Sequence, residues 1–269
     1  MKDKKIVYYS DPINDDFADN DIKTRYIPVD FCYVHKSVIW KVLSFLLYYV
    51  IALPLVWFMA KVILGLKFKN RKVFRKLKGQ GFFLYGNHTQ PLDAYVPPLA
   101  AFPKRSYTLA NPDAVSIPGI KNLVMMLGAL PVPSQRLGFR PFIDAINTRL
   151  AQNSCIAVYP EAHIWPYYTG VRPFRDSSFR YPVMMNAPAV AMVTTYRKRK
   201  GLFCFVKRPG MTVSFSEVFY PDKTLTDRQS REDLRNRAFE FMDQTARTAH
   251  QVEYIRYEYR PKEKRDRVL

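Results

Sequence analysis

Residues 42–60, VLSFLLYYVIALPLVWFMA, run for 19 positions without a charge between Lys41 and Lys61. Such a run has no polar face to show to water, so it must lie in a core or meet lipid. As a straight helix it would cover about 28 Å, close to the ~30 Å hydrocarbon thickness of a bilayer. Pro54 sits late in the run and removes a backbone donor, so the expectation divides between one span and a bent pair of interfacial helices. Eight basic residues and no acid follow from Lys61 to Lys78. Anionic lipid headgroups are their natural counterpart, and the positive-inside tendency would hold this side in the cytoplasm. The competing readings are a core helix with a solvated basic flank and a nucleic-acid arm; such arms do not follow 19 apolar residues. A cleaved signal peptide is disfavoured because the run starts too far from Met1.

The chain has 42 Lys plus Arg against 23 Asp plus Glu, a net charge of +19, which points to polyanionic partners. The first 30 residues carry a net charge of −2, so the excess lies beyond them. Their Asp and Asn content and lack of apolar periodicity predict an irregular surface arm. Cys32, Cys155 and Cys204 form no CxxC pair, which argues against a disulfide framework or a thiolate zinc site and fits a reducing compartment. The glycines at 81 and 86 are followed by Asn87 and His88 rather than Lys and Ser or Thr, so no phosphate loop is present. The expected organisation is a polar arm over 1–36, an apolar membrane-associated helical segment over 37–68, an α/β domain over 69–259 and a basic tail over 260–269.

Beyond residue 80, short apolar runs at 82–85, 107–110, 129–132, 155–159, 190–195 and 212–219 read as strands. Helical patterns at 91–101, 117–127, 141–152 and 179–185 fall between them, and Thr226 with Gln229, or Ser230 with Asp233, would cap a last helix reaching about 249. Strands alternating with helices predict an α/β fold, a central mixed sheet covered by helices.

His88 and His163 stand just past predicted strands, where α/β sheets place functional groups. In Y-G-N-H-T-Q-P-L-D, His88 and Asp93 are five residues apart and would diverge by about 140° on one helix, so they meet only across a turn. Pro91 favours that turn as a first-turn helix residue, with Thr89 or Gln90 as cap and Asp93 facing back. A carboxylate on one imidazole nitrogen fixes the tautomer and leaves the other as a base. With no GxSxG elbow and no suitably placed Cys, the His would act directly on a substrate hydroxyl. A structural His near a helix start is the plain alternative.

The Asn87, His88 and Asp93 pattern resembles the N-H-x4-D signature of membrane glycerolipid acyltransferases of the lysophosphatidic acid acyltransferase type. In the same order come G-A-L-P-V-P-S-Q-R ending at Arg136, Y-P-E-A-H with Glu161 and His163, the Phe174-Arg175 pair, and A-P-A-V-A-M-V from Ala187. With the apolar, basic segment before them, the order and spacing of these blocks cover roughly residues 40 to 220. Ala162 and His163 stand where the family usually has Gly and Thr.

The resemblance implies acyl transfer from a thioester, acyl-CoA or acyl carrier protein, to the free hydroxyl of lysophosphatidic acid, giving phosphatidic acid. His88 is then the general base and Asp93 its orienting partner, while backbone N–H groups at the following helix start stabilise the oxyanion. Arg136 or Arg175 would hold the acceptor phosphate, Glu161 the glycerol hydroxyls, and His163 and Asn87 complete the substrate contacts. An apolar groove would take the acyl chain. No cofactor, no metal and no nucleic acid is expected; the partners are membrane lipids, the lysophospholipid and the thioester donor. The alternatives are another lysophospholipid or glycolipid acceptor, or a non-catalytic module that binds anionic lipid.

Overall fold

The computed structural model describes residues 5–17, 26–201 and 204–261. Strand β1 (Lys5–Tyr9) opens the chain and is followed by a helix from Val38 to Val62. This helix comprises α1 (Val38–Phe45), a π-helical segment (Leu46–Ala52) and α2 (Leu53–Val62), with Pro54 in the first turn of α2. The widened π turns lie just before the proline, so the helix continues past it where the sequence left a bent pair open. It is the one helix among the described residues long and apolar enough to cross a membrane. Ser44, Tyr48 and Ala60 are buried against the body, whereas Val38, Val42, Val50, Trp57 and Phe58 are among its exposed residues.

The remaining elements are β2 (Lys67–Lys69), β3 (Phe82–Gly86), α3 (Val96–Ala101), β4 (Ser106–Ala110), α4 (Lys121–Met126), β5 (Ala129–Pro131), α5 (Phe139–Ala151), β6 (Cys155–Val158), α6 (Arg180–Met184), β7 (Ala189–Arg197), β8 (Gly210–Phe219), α7 (Asp227–Thr248) and β9 (Ile255–Tyr259). Seven strands form one sheet in the order β2-β8-β7-β3-β6-β4-β5. The run from β7 to β5 is parallel, and β8 joins β7 antiparallel, so the sheet is mixed. Strand β3 pairs on both sides, Tyr85 opposite Val158 of β6 and Ala191 of β7. All five of its residues are buried. Phe83 and Tyr85 face the layer of α5 and α7, whereas Phe82 and Leu84 face that of α3 and the apolar helix. Because both faces are covered, β3 reads as an unbroken apolar run.

Two expectations change. The arm is not irregular throughout: β1 pairs in parallel with β9, Lys5 opposite Ile255 through Tyr9 opposite Tyr259. Of the two caps open for α7, Thr226 is the one used, accepting from Gln229 N–H. The basic tail falls outside the described residues from 262 onward, as do parts of the arm.

Candidate active site

The parallel strands β3 and β6 end side by side, and the chain leaving β3 carries Asn87 and His88 while that leaving β6 carries Glu161. Loops at the carboxyl edge of such strands form the crevice of α/β sheets. Asn87 is buried and closes a two-way bond to β7, accepting from Thr194 N–H at 2.8 Å and donating to Thr194 O at 3.2 Å. It therefore anchors the loop to β7.

Gln90 is the cap of a 3-10 turn over Pro91–Tyr95, which returns Asp93 toward His88. Asp93 Oδ2 accepts from Thr89 N–H at 2.6 Å and Gln90 N–H at 2.8 Å, and lies 3.3 Å from His88 Nδ1. Asp93 is 1% exposed, so two fixed N–H dipoles and the imidazole take the place of water around that oxygen. With the proton on Nδ1, the other nitrogen Nε2 is left as the base. The His88 ring also stacks on Tyr159, centroids 4.6 Å apart, while Tyr159 donates its hydroxyl to Asp93 O at 2.5 Å.

This same arrangement takes up most of the expected oxyanion donors. The N–H groups of Thr89 and Gln90 are spent on Asp93, Pro91 has none, and the Asp93 N–H bonds Gln90 O.

Glu161 is buried and works from below the loop. Its Oε2 accepts from His88 N–H at 3.1 Å and its Oε1 from Arg172 N–H at 2.9 Å, and the Arg172 guanidinium lies 3.4 Å from Oε2. Burial pushes the Glu161 carboxyl above its ordinary range, and the Arg172 charge and both N–H groups pull against that. The carboxylate has both oxygens engaged by protein, so Glu161 fixes the His88 backbone instead of presenting itself to glycerol hydroxyls. Arg172 further donates to the carbonyls of Glu161 and His163 and lies over the Trp165 ring at 4.9 Å. Sequence reasoning missed Arg172, since nothing in the sequence marks it as the one buried guanidinium at the site.

A cavity of about 620 Å³ opens beside His88, with Tyr159, Pro160, Ala162, Asp16, Asp113 and Arg180 in its wall. Arg136 and Arg175 are both exposed and neither lines it. The guanidinium that does is Arg180, over the Phe139 and Tyr181 rings at 5.3 Å each, with a buried Nε that has no hydrogen-bond partner. His163 is drawn to the arm, its Nδ1 lying 3.2 Å from Asp16 Oδ2. Ala162, between Glu161 and His163, has φ +63°, a left-handed conformation that glycine adopts without strain. A second, apolar cavity of about 200 Å³ shares Pro91, Ala94, Thr108, Ala110 and Ala114 with the first and extends to Tyr48, Leu53 and Val56 of the long helix.

Residues 65–195 match the sequence profile of the Acyltransferase family. These residues form an acyltransferase-family domain. The fold is similar to that of a crystal structure titled 1-acyl-sn-glycerophosphate (LPA) acyltransferase, PlsC, from Thermotoga maritima, with a TM-score of 0.53 and 15% identity over 72% of this chain and 78% of that one. No curated protein matches the chain. The matched segment holds β3, β6, most of β7 and the loops bearing His88, Asp93, Glu161 and Arg172. Among the described residues no three His, Cys, Asp or Glu side chains are gathered as a metal site would need.

Proposed function

We propose that this acyltransferase domain moves a fatty acyl group from a thioester, acyl-CoA or acyl carrier protein, to the free hydroxyl of lysophosphatidic acid and forms phosphatidic acid. The observation that carries the reading is the His88–Asp93 pair, with His88 in the wall of a cavity that adjoins a second, apolar one. His88 Nε2 takes the hydroxyl proton as the oxygen attacks the thioester carbonyl, and Asp93 stabilises the imidazolium that forms. Collapse of the tetrahedral adduct breaks the C–S bond, and His88 returns the proton to the departing thiolate. The apolar cavity takes the beginning of the acyl chain. Arg180, in place of Arg136 and Arg175, pairs with the acceptor phosphate.

The apolar helix supports membrane association. One side packs on the body along its length, which suits a helix lying in the headgroup region with its exposed apolar side in lipid. The basic residues from Lys61 to Lys78 then meet anionic headgroups on the cytoplasmic face.

The decisive experiment is transfer of a labelled acyl thioester, offered as acyl-CoA and as acyl carrier protein, to lysophosphatidic acid and other lyso-acceptors in mixed micelles. His88→Ala is expected to cut kcat by about 10²- to 10⁴-fold with normal vesicle binding. Full activity in that variant removes His88 from the mechanism, and no turnover in the parent with any acceptor favours a lipid-binding module.

A further inference from the structure

At the opposite, amino-terminal edge of the parallel strands, a separate cavity of about 350 Å³ has five cation-capable side chains in its wall: His35, Lys36, Lys41, Arg105 and Arg149. No Asp or Glu lines it, and among the described residues none of the five takes part in an ion pair with a carboxylate. Arg105 precedes β4, Arg149 ends α5, and Lys36 and Lys41 flank the start of α1. Three separate elements therefore direct charge of one sign to one place.

The two guanidiniums are held, not dangling. Arg105 lies over Tyr48 at 4.8 Å and Tyr107 at 5.3 Å, and donates to Ser44 Oγ at 2.6 Å and Met126 O at 2.5 Å. Arg149 lies over the same Tyr107 ring at 4.4 Å and donates to Gln152 Oε1 at 3.0 Å. Each keeps a buried Nε with no partner. Their effect is felt within the cluster: burial lowers the Arg149 pKa, and the Arg105 charge lowers it further. His35 is likewise lowered by burial and then by Arg149 and Lys121. Two fixed guanidiniums sharing one aromatic ring without a carboxylate repel each other, and an anion between them removes that cost. Ser44, Gln152 and Ser154 add neutral polar groups to the wall.

We propose that this pocket is a binding site for a phosphate group, monoester or diester, separate from the His88 cavity. Guanidinium forks match phosphate oxygens bidentately, and the lysines add charge at the rim. Two sources offer that chemistry: a lipid headgroup, which the exposed apolar side of α1 would bring alongside, or a soluble phosphate compound. The proposal does not depend on the function assigned to His88.

Trp40 lines the pocket and stacks on His35 at 3.7 Å, which supplies a local reporter. The full chain carrying Trp57→Phe, in which Trp40 and Trp165 remain, is titrated in detergent with inorganic phosphate, and the Trp40 response is the part of the signal lost in Trp40→Phe. In parallel it is reconstituted into nanodiscs of phosphatidylcholine alone or with phosphatidylglycerol as the minor lipid, a lipid that is not the product proposed for His88. The expected result is a saturable Trp40 response in at least one arm, at least tenfold weaker in Arg149→Met and in the exposed pair Lys36→Gln with Lys41→Gln. Saturation by free phosphate assigns a soluble source; saturation only with phosphatidylglycerol assigns a headgroup. His88→Ala leaves the response unchanged. If Arg149→Met does not fold, the lysine pair decides. No saturable response in either arm, or one that the substitutions leave intact, overturns the proposal.

Discussion

At the scale of single residues, the site is held by charge compensation in a space without water. Arg172 and Glu161 are each about 1% exposed at the side chain, and each serves the backbone of the other's loop. Arg172→Met leaves a buried carboxylate beside two N–H groups and no counter-charge, which costs about 3–5 kcal/mol in breaking such a pair. Denaturant unfolding of the detergent-solubilised protein checks this, and a loss below about 1 kcal/mol would show that the pair is not buried in solution. Arg180 makes a different prediction because the role proposed for it is toward ligand. Arg180→Gln is expected to raise the KM for lysophosphatidic acid by roughly 10- to 100-fold, the worth of a charged hydrogen bond, with kcat changed less. An unchanged KM would move the phosphate elsewhere. His88 and Asp93 were legible in the sequence because Pro91 dictates a turn that only a short spacing can close. Arg172 and Arg180 were not, because among 42 basic residues only tertiary placement separates a buried fork from a solvated one. For the same reason the sequence positions of Arg136 and Arg175 suggest site arginines, yet both lie exposed.

Among the elements, legibility followed burial on two faces. Strands β3, β4, β5, β6, β7 and β8 coincide with apolar runs because helices or the long helix cover the sheet. Strand β2, KFK, is an edge strand with exposed lysines, a pattern that hides an edge from other chains and equally hides it from a periodicity search. Strands β1 and β9 carry mixed polarity because they pair only with each other outside the main sheet. The helix from Val38 to Val62 was visible as apolar, but its orientation was not, since the π turns that carry it past Pro54 leave no mark in composition. Its exposed side predicts a result. Phe58 is 60% exposed, so Phe58→Asp should fold as the parent does while binding anionic vesicles at least about tenfold more weakly in flotation, a charge being expensive in lipid. Equal flotation would mean that this side faces water.

At the scale of the whole molecule, the acidic arm and the end of the chain close over the back of the site. Trp165 is the node: its indole N–H donates to Asp15 O at 2.8 Å, its ring stacks on Tyr257 at 5.0 Å, and its backbone N–H donates to His88 O at 3.1 Å. Tyr9 and Phe17 of the arm pack on the same ring, and Asp16 reaches both His163 and the cavity wall. The arm thus touches the site from outside, whereas the His88–Asp93 bond is made entirely within the loop after β3. Deleting residues 1–17 separates the two. Strand β9 loses its partner, and Trp165 gains water, seen as a red shift of its emission. The chemistry should survive: kcat is expected to stay within a fewfold of the parent while KM for the acceptor rises, because one wall of the cavity is gone and the base is not. A kcat that collapses with the fold intact by circular dichroism would instead make the arm part of what keeps His88 in register, through the Trp165 bond to its carbonyl.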